Sequence, residues 1–368
     1  RIPGSYIVVL NDGVSTNNFK PKFDAMARRQ NGRGGVKPQI HREYSAIHAF
    51  HAFLSKAAVK ELQASGDIAY IEEDAIMHIA AEQADPPSWG LTRVSQKSLN
   101  LTLPYVYADN AGEGVTAYVI DTGVYIEHSD FKGRATFGAN FIEGSKDTDE
   151  NGHGTHVAGT IGGTTYGVAK KVTIVGVKVL DAEGSGSTSG VVAGMDWVAK
   201  NAKAGKSVVN MSLGGGKSRA IDAAAGRLFD ANIPLIAAAG NDETVDACDG
   251  SPSGAANTFT VAASDDTDNT ASFTSYGPCV AIFAPGVDIT STWIGGTNKT
   301  NTISGTSMAT PHVVGVAAAY LSEGVFENVQ ALFDKLASTA TSGKIKGDLK
   351  GSPNKLVFNG GAIAEIEL

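Results

Sequence analysis

Two hydrophobic rhythms divide the chain. Up to about residue 79 the apolar runs are short and mixed with helical spacings. "SYIVVL" (5–10) predicts a strand, a polar turn leads to a helix around 19–30, and "NGRGG" (31–35) breaks it. "YSAIHAFHAFL" (44–54) alternates like a half-buried strand, Ser55 is placed to cap a helix over "KAAVKELQAS", and "IAYIEED" (68–74) predicts another strand. The order β-α-β-α-β, with a split strand allowed, predicts a small ferredoxin-like α+β unit with its helices on one face. "HIAAEQADPPSWG" (78–90) is polar, Ala-rich and proline-containing, as a linker would be.

From about residue 115 the pattern becomes long apolar runs separated by helical stretches. "GVTAYVID" (114–121), "VTIVGVKVL" (172–180), "SVVNMSL" (207–213) and "IPLIAAAGN" (233–241) predict buried parallel strands. Helices are expected between them at 153–162, 188–203 and 218–231, and another from about Ser307 to 323. This alternation predicts an α/β, doubly wound, mostly parallel sheet, with ligands at the carboxyl ends of its strands. Asp121 and Asn241 both fall at such ends.

Composition narrows the class. The 368 residues are 42% hydrophobic with 44 glycines, enough for a sizeable core and many tight turns. The longest apolar candidate for a membrane helix, "VVGVAAAYL" (313–321), is too short for one. A net charge of −8 and the lack of a basic stripe argue against nucleic acid. Residues 1–80 carry +2 and the remainder −10, so the two parts could attract one another. The two cysteines, Cys248 and Cys279, are either buried free thiols or one disulfide; neither lies in a CxxC, which argues against zinc and thioredoxin chemistry. The chain starts at Arg1, as it would after removal of a leader, and the sequons at Asn100 and Asn298 fit an exported protein. A third sequon, at Asn210, lies inside an apolar strand where a glycan would not fit.

The chemistry sits in three blocks. Asp121 ends an apolar run ahead of "TGV", His153 opens a glycine-flanked helix in "NGHGTHVAGT" (151–160), and "SGTSMATPH" (304–312) places Ser307 where a small-residue loop enters a helix. Alone, each residue suits a cap or a turn. Together they supply a weak nucleophile, a base, and a third group to fix the base's tautomer. A helix start at Ser307 turns unpaired N–H groups toward a developing oxyanion, and Asn241 offers a side-chain donor for it. His153 and His156, three residues apart, could instead share a metal, but no third ligand is near in sequence.

"YVIDTGV", "NGHGTHVAGT" and "SGTSMATPH" resemble the three active-site blocks of the subtilisin family of serine proteases, in that family's Asp…His…Ser order. "SLGGG" (212–216) and "AAAGN" (237–241) resemble its substrate-cleft and oxyanion blocks; "PSWGL" (87–91), "GSGSTSG" (184–190) and "STWIGG" (291–296) point to the proteinase K-like branch. Residues 5–79 resemble that family's inhibitory, chaperone-like propeptide. The resemblance implies a propeptide over 1–80 and a catalytic domain over 81–368. It implies Asp121, His153 and Ser307 as the triad, with His156 as packing, and Asn241 with the Ser307 amide as oxyanion donors. Gly184, Ser185 and Gly186 would pair with extended substrate, Ser212, Leu213, Gly214 and Gly215 would flank the cleft, and Ala238 and Gly240 would lie opposite. None of these segments carries a charge, so apolar or aromatic residues are expected before the cut. Thr188 stands where relatives often have Tyr.

The resemblance further implies self-cleavage near Ala80 or Ala81, protein substrates, the propeptide as an inhibitor, and a monomer in a secreted or vacuolar, lysosome-like compartment. No cofactor is expected. Calcium is unsupported, because Ala281 occupies the position expected to supply a carboxylate, and a Cys248–Cys279 bridge would brace the same loops. Two other classes compete. A propeptide-locked binding protein would share the residues without the reaction, and an α/β-hydrolase would need Ser ahead of Asp and His.

Overall fold

The structure, a computed structural model, describes residues 2–30, 37–44, 47–74 and 80–361. "NGRGG" falls outside them. The chain forms two compact units, 1–77 and 78–368.

The first unit runs β1 (Ser5–Leu10), α1 (Thr16–Gln30), β2 (Gln39–Tyr44), β3 (Ala49–Phe53), α2 (Lys56–Gln63) and β4 (Ile68–Glu73). Its strands form one antiparallel sheet in the order β2-β3-β1-β4. Alternation sends Val8, Leu10, Phe50 and Ala52 to one face, where they bury Phe19, Phe23 and Met26 of α1 and Ala58 and Leu62 of α2. Ser55 caps α2 by accepting the Ala58 amide proton. The expected single strand over 44–54 is instead the end of β2, a turn with His48 at φ 46°, and β3. Its alternation is real only from residue 49, and β2 has too few apolar residues to announce itself.

The second unit is built on a nine-stranded sheet. Its elements are β5 (Ala80–Gln83), α3 (Trp89–Val94), β6 (Tyr105–Ala108), β7 (Thr116–Asp121), β8 (Ala135–Asn140), α4 (His153–Gly162), β9 (Thr173–Lys178), α5 (Thr188–Asn201), β10 (Ser207–Met211) and β11 (Gly215–Gly216). There follow α6 (Arg219–Asp230), β12 (Leu235–Ala238), β13 (Gly250–Ser251), β14 (Thr258–Ser264), β15 (Val280–Pro285), β16 (Ile289–Thr292), β17 (Thr300–Ile303), α7 (Thr306–Glu323), α8 (Val329–Thr339), β18 (Thr341–Ser342) and β19 (Lys355–Leu356). The large sheet has the order β18-β19-β15-β14-β12-β10-β7-β9-β8, parallel throughout except for β18 against β19. Its strands are apolar on both faces because α4 and α7 cover one face while α5 and α6 cover the other.

Part of the expected linker forms a strand: Ala80–Gln83 pairs antiparallel with β6, Ala80 opposite Ala108 and Ala81 opposite Tyr107. Among the described residues no helix is long and apolar enough to cross a membrane.

Candidate active site

The site forms where the ends of β7, β10 and β12 meet the starts of α4 and α7. Asp121, the last residue of β7, is fully buried. Its Oδ1 accepts the Thr122 amide proton at 2.7 Å and the His153 Nδ1 proton at 2.7 Å. A carboxylate on Nδ1 fixes the tautomer and leaves Nε2, with its lone pair, as the basic atom. Burial favours the neutral ring of His153, but the Asp121 charge, its hydrogen bond and the more distant Asp149 outweigh it and raise the pKa above the ordinary 6.5.

Two residues that the sequence reading passed over hold this pair. Asp149 is buried, and its Oδ1 accepts from Thr122 Oγ1 and from the amides of Asn151 and Gly152. Its Oδ2 accepts from the amide and hydroxyl of Thr155. Thr122 in turn takes the Gly154 amide proton on Oγ1 and the buried Lys178 ammonium on its carbonyl, at 2.9 and 2.8 Å. Thr122 therefore ties the strand bearing Asp121 to the helix bearing His153. The signal was an acid four residues before the histidine, which reads as an ordinary cap.

Ser307 is the second residue of α7. Its hydroxyl donates to the Ser212 carbonyl at 3.0 Å, while Ser212 Oγ donates to the Ser307 carbonyl at 2.9 Å, so the end of β10 and the start of α7 are laced together. Asn241 is oriented by Thr306, whose amide and hydroxyl both donate to Asn241 Oδ1 at 2.8 Å. That leaves Nδ2 to face outward. The point a Cβ on Gly305 would occupy is 3.4 Å from Asn241 Nδ2 and 3.6 Å from the Ser307 amide nitrogen. Gly305 thus lies beside both the Asn241 side-chain amide and the Ser307 backbone nitrogen.

Two cavities share the Leu213–Gly215 wall. One, of about 470 Å³, reaches from His153 past Gly184, Ser185, Gly186 and Thr188 to Ile221. The other, of about 380 Å³, runs from Ser307 and Asn241 past Ala238, Ala239 and Gly240 to Gly250 and Ser253. All nine residues expected to line a cleft lie on one of the two. The structure adds what the short motifs missed: Asp242 and Asp246 line the second cavity, so it is not free of charge. Hydrogen bonds from Thr244 hold the exposed Asp242 carboxyl below its usual range.

His156 is fully buried, its Nε2 donating to the Ile289 carbonyl at 2.9 Å and its ring edge-on to Trp293. Burial pulls its pKa down to about 4. It packs the helix and makes no pair with His153. Cys248 and Cys279 are disulfide-bonded with their Cα atoms 5.3 Å apart. Ala281, in β15, is half-buried against the core and offers no ligand oxygen beyond its backbone. Among the described residues no three His, Cys, Asp or Glu side chains gather closely enough to hold a metal. Asn100 and Asn298 are exposed and Asn210 is buried in β10.

Similar proteins carry the same architecture. Residues 112–352 match the Subtilase family, and residues 5–80 match Peptidase inhibitor I9. Subtilisin-like protease 2 of Pseudogymnoascus destructans is 46% identical over 359 residues, covering 97% of this chain and 89% of that protein. The cuticle-degrading serine protease of Arthrobotrys oligospora is 44% identical over 376 residues, covering 98% and 91%. The crystal structure of a cold adapted subtilisin-like serine proteinase superposes with a TM-score of 0.71 at 48% identity, covering 75% of this chain and 98% of that one. The chain belongs to the subtilase family, as a subtilisin-like serine protease carrying an I9 inhibitor domain at its N-terminal side.

Proposed function

We propose that Asp121, His153 and Ser307 hydrolyse peptide bonds as a triad. The observation that carries this is the 2.7 Å bond from His153 Nδ1 to Asp121, which fixes the tautomer that leaves Nε2 basic. Rotation about the Ser307 Cα–Cβ bond exchanges its contact with Ser212 for His153 Nε2. That nitrogen takes the hydroxyl proton as Oγ attacks the peptide carbonyl, and the oxyanion moves between Asn241 Nδ2 and the Ser307 amide. His153, now an imidazolium stabilised by Asp121, passes the proton to the leaving amine, and water reverses the sequence to free the acid.

Extended substrate lies along the Gly184–Gly186 loop and the Ser212–Gly215 segment. The side chain before the cut enters the cavity of Ala238 and Gly240, whose aliphatic walls favour apolar and aromatic residues. Asp242 and Asp246 give that cavity some tolerance for a long basic side chain. The I9 domain acts as the enzyme's own inhibitor until self-cleavage near Ala80 or Ala81, after which the new N-terminal segment stays paired with β6. The relatives' names fit export, and Asn100 and Asn298 are accessible to glycosylation; the protease works as a monomer without a cofactor in a secreted or lytic vacuolar setting.

Intact mass before and after a fluorophosphonate probe tests the reading. A species shorter by about 80 N-terminal residues that gains one probe, lost in Ser307→Ala, is expected from a self-processing serine protease. A full-length chain that takes no probe, even after limited proteolysis between the units, overturns it.

A further inference from the structure

Pro311 removes a hydrogen bond at the start of α7. In a regular helix the Ser307 carbonyl would accept the amide proton of the residue four positions on, but that residue is Pro311, which has none. The proton comes instead from the end of β10, where Ser212 Oγ donates to the Ser307 carbonyl at 2.9 Å. Ser212 is held in turn by Asn210, whose Nδ2 donates to Ser212 Oγ at 3.0 Å. The chain from Asn210 through Ser212 to Ser307 is directional. A hydroxyl has one proton, and because Asn210 gives rather than takes, that proton stays on the Ser307 carbonyl.

Asparagine is a poor choice for this place on packing grounds alone. Asn210 is fully buried, and alternation along β10 sends Val208 and Asn210 toward α7 while Val209 and Met211 face the other way. Its register partners, Val119 of β7 and Ile236 of β12, belong to the same apolar core. Among the described residues Asn210 Oδ1 has no hydrogen-bond partner. A buried acceptor left unmet disfavours the fold, and a leucine of similar size would suit the same neighbours. What the asparagine supplies and a leucine cannot is the donor to Ser212. The two residues are the ends of the buried sequon, so its amide and its hydroxyl serve each other.

We propose that Asn210 is a positioning residue for the hydrolysis: through Ser212 it replaces the helix hydrogen bond that Pro311 removes, and so fixes the backbone of Ser307. It touches no substrate. It acts by holding Ser307, hydroxyl and backbone amide together, in one position. The inference rests on Ser307 being the nucleophile.

The test compares the matured parent with Asn210→Leu, Ser212→Ala and the two combined. The readouts are kcat and KM for a peptide substrate and the rate of fluorophosphonate acylation, with Tm measured in a Ser307→Ala background to prevent autolysis. A parent that takes no probe refutes the nucleophile itself, apart from anything Asn210 does. With a labelled parent, Asn210→Leu is expected to lower kcat and the acylation rate roughly tenfold with KM little changed. Its Tm should hold or rise, because an unmet acceptor has gone. Ser212→Ala should lose about as much, and the double variant no more than the larger single loss. Adding Pro311→Ala returns an amide proton to the Ser307 carbonyl, so in that background the loss on Asn210→Leu should shrink to within about threefold. The proposal is overturned if kcat holds in Asn210→Leu, if it falls only together with Tm, if the losses at 210 and 212 add, or if Pro311→Ala leaves the loss undiminished. Should Asn210→Leu not fold, Ser212→Ala decides, since it breaks the same chain and leaves the core untouched: a kcat that holds there overturns the proposal, and a loss that Pro311→Ala relieves supports it.

Discussion

In the proposed reaction neutral His153 is the reactive form of the pair it makes with Asp121, and its neighbours decide the pH at which that form prevails. Because its pKa is held above the ordinary 6.5, kcat/KM for a peptide substrate is expected to rise with pH along a limb whose midpoint exceeds that value. Asp149→Asn withdraws one of the charges that favour the imidazolium, so the midpoint should move down; a midpoint that stays or rises would show that Asp149 only caps the helix. Asn241→Leu should cost kcat by the 10²–10³ that loss of the corresponding donor costs in subtilisin, with KM little changed. Every one of these side chains except Asp149 was visible in the sequence, because each sits in a motif of small residues with one chemical group. Asp149 was not, since its importance comes from the five donors that the fold brings to it.

Two helices do the positioning, and glycine lets them come close enough. A Cβ on Gly154 would stand 2.1 Å from the Gly123 carbonyl and 3.2 Å from Asp121 Cβ, so Gly154→Ala must push α4 off the end of β7. A shift of that kind is expected to lower kcat/KM by about 10²-fold through the lost His153–Asp121 geometry. Single-turnover acylation by a fluorophosphonate checks it: an unchanged rate in a folded variant would sink the argument. The apolar spacing placed both helices to within a residue or two. It failed for β8, β14 and β15, which were not anticipated: β8 is mixed in character, while β14 and β15 lack the long flanking helices that announced the others.

At the scale of the whole molecule, contacts between distant segments hold the protease unit together. Arg93 and Asp268, 175 residues apart, form a two-bonded ion pair with side chains 0% and 5% exposed. Asp268→Ala strands a buried guanidinium and should cost about 3–5 kcal/mol in denaturant unfolding, whereas Arg93→Met with Asp268→Leu should cost much less. Opening the Cys248–Cys279 bridge, whose partners are 31 residues apart, should cost roughly 3–4 kcal/mol by the loop-entropy argument. His156 and His312, buried on α4 and α7, have pKa values pulled from 6.5 to about 4. The unfolded chain therefore binds more protons between those values, and their contribution to stability is complete above about pH 6.5 and drains away as pH falls toward 4. Unfolding free energies at pH 7, 6 and 5 should fall along that window, less steeply in His156→Gln. The small-residue motifs and the two hydrophobic rhythms were enough to read the architecture and the family, because periodicity and local chemistry are properties of neighbouring residues. The charges lining the second cavity and the Thr122–Asp149 brace were settled only by tertiary structure. Each joins segments far apart in the chain, where backbone carbonyls and buried charges act by position and leave no pattern in the order of side chains.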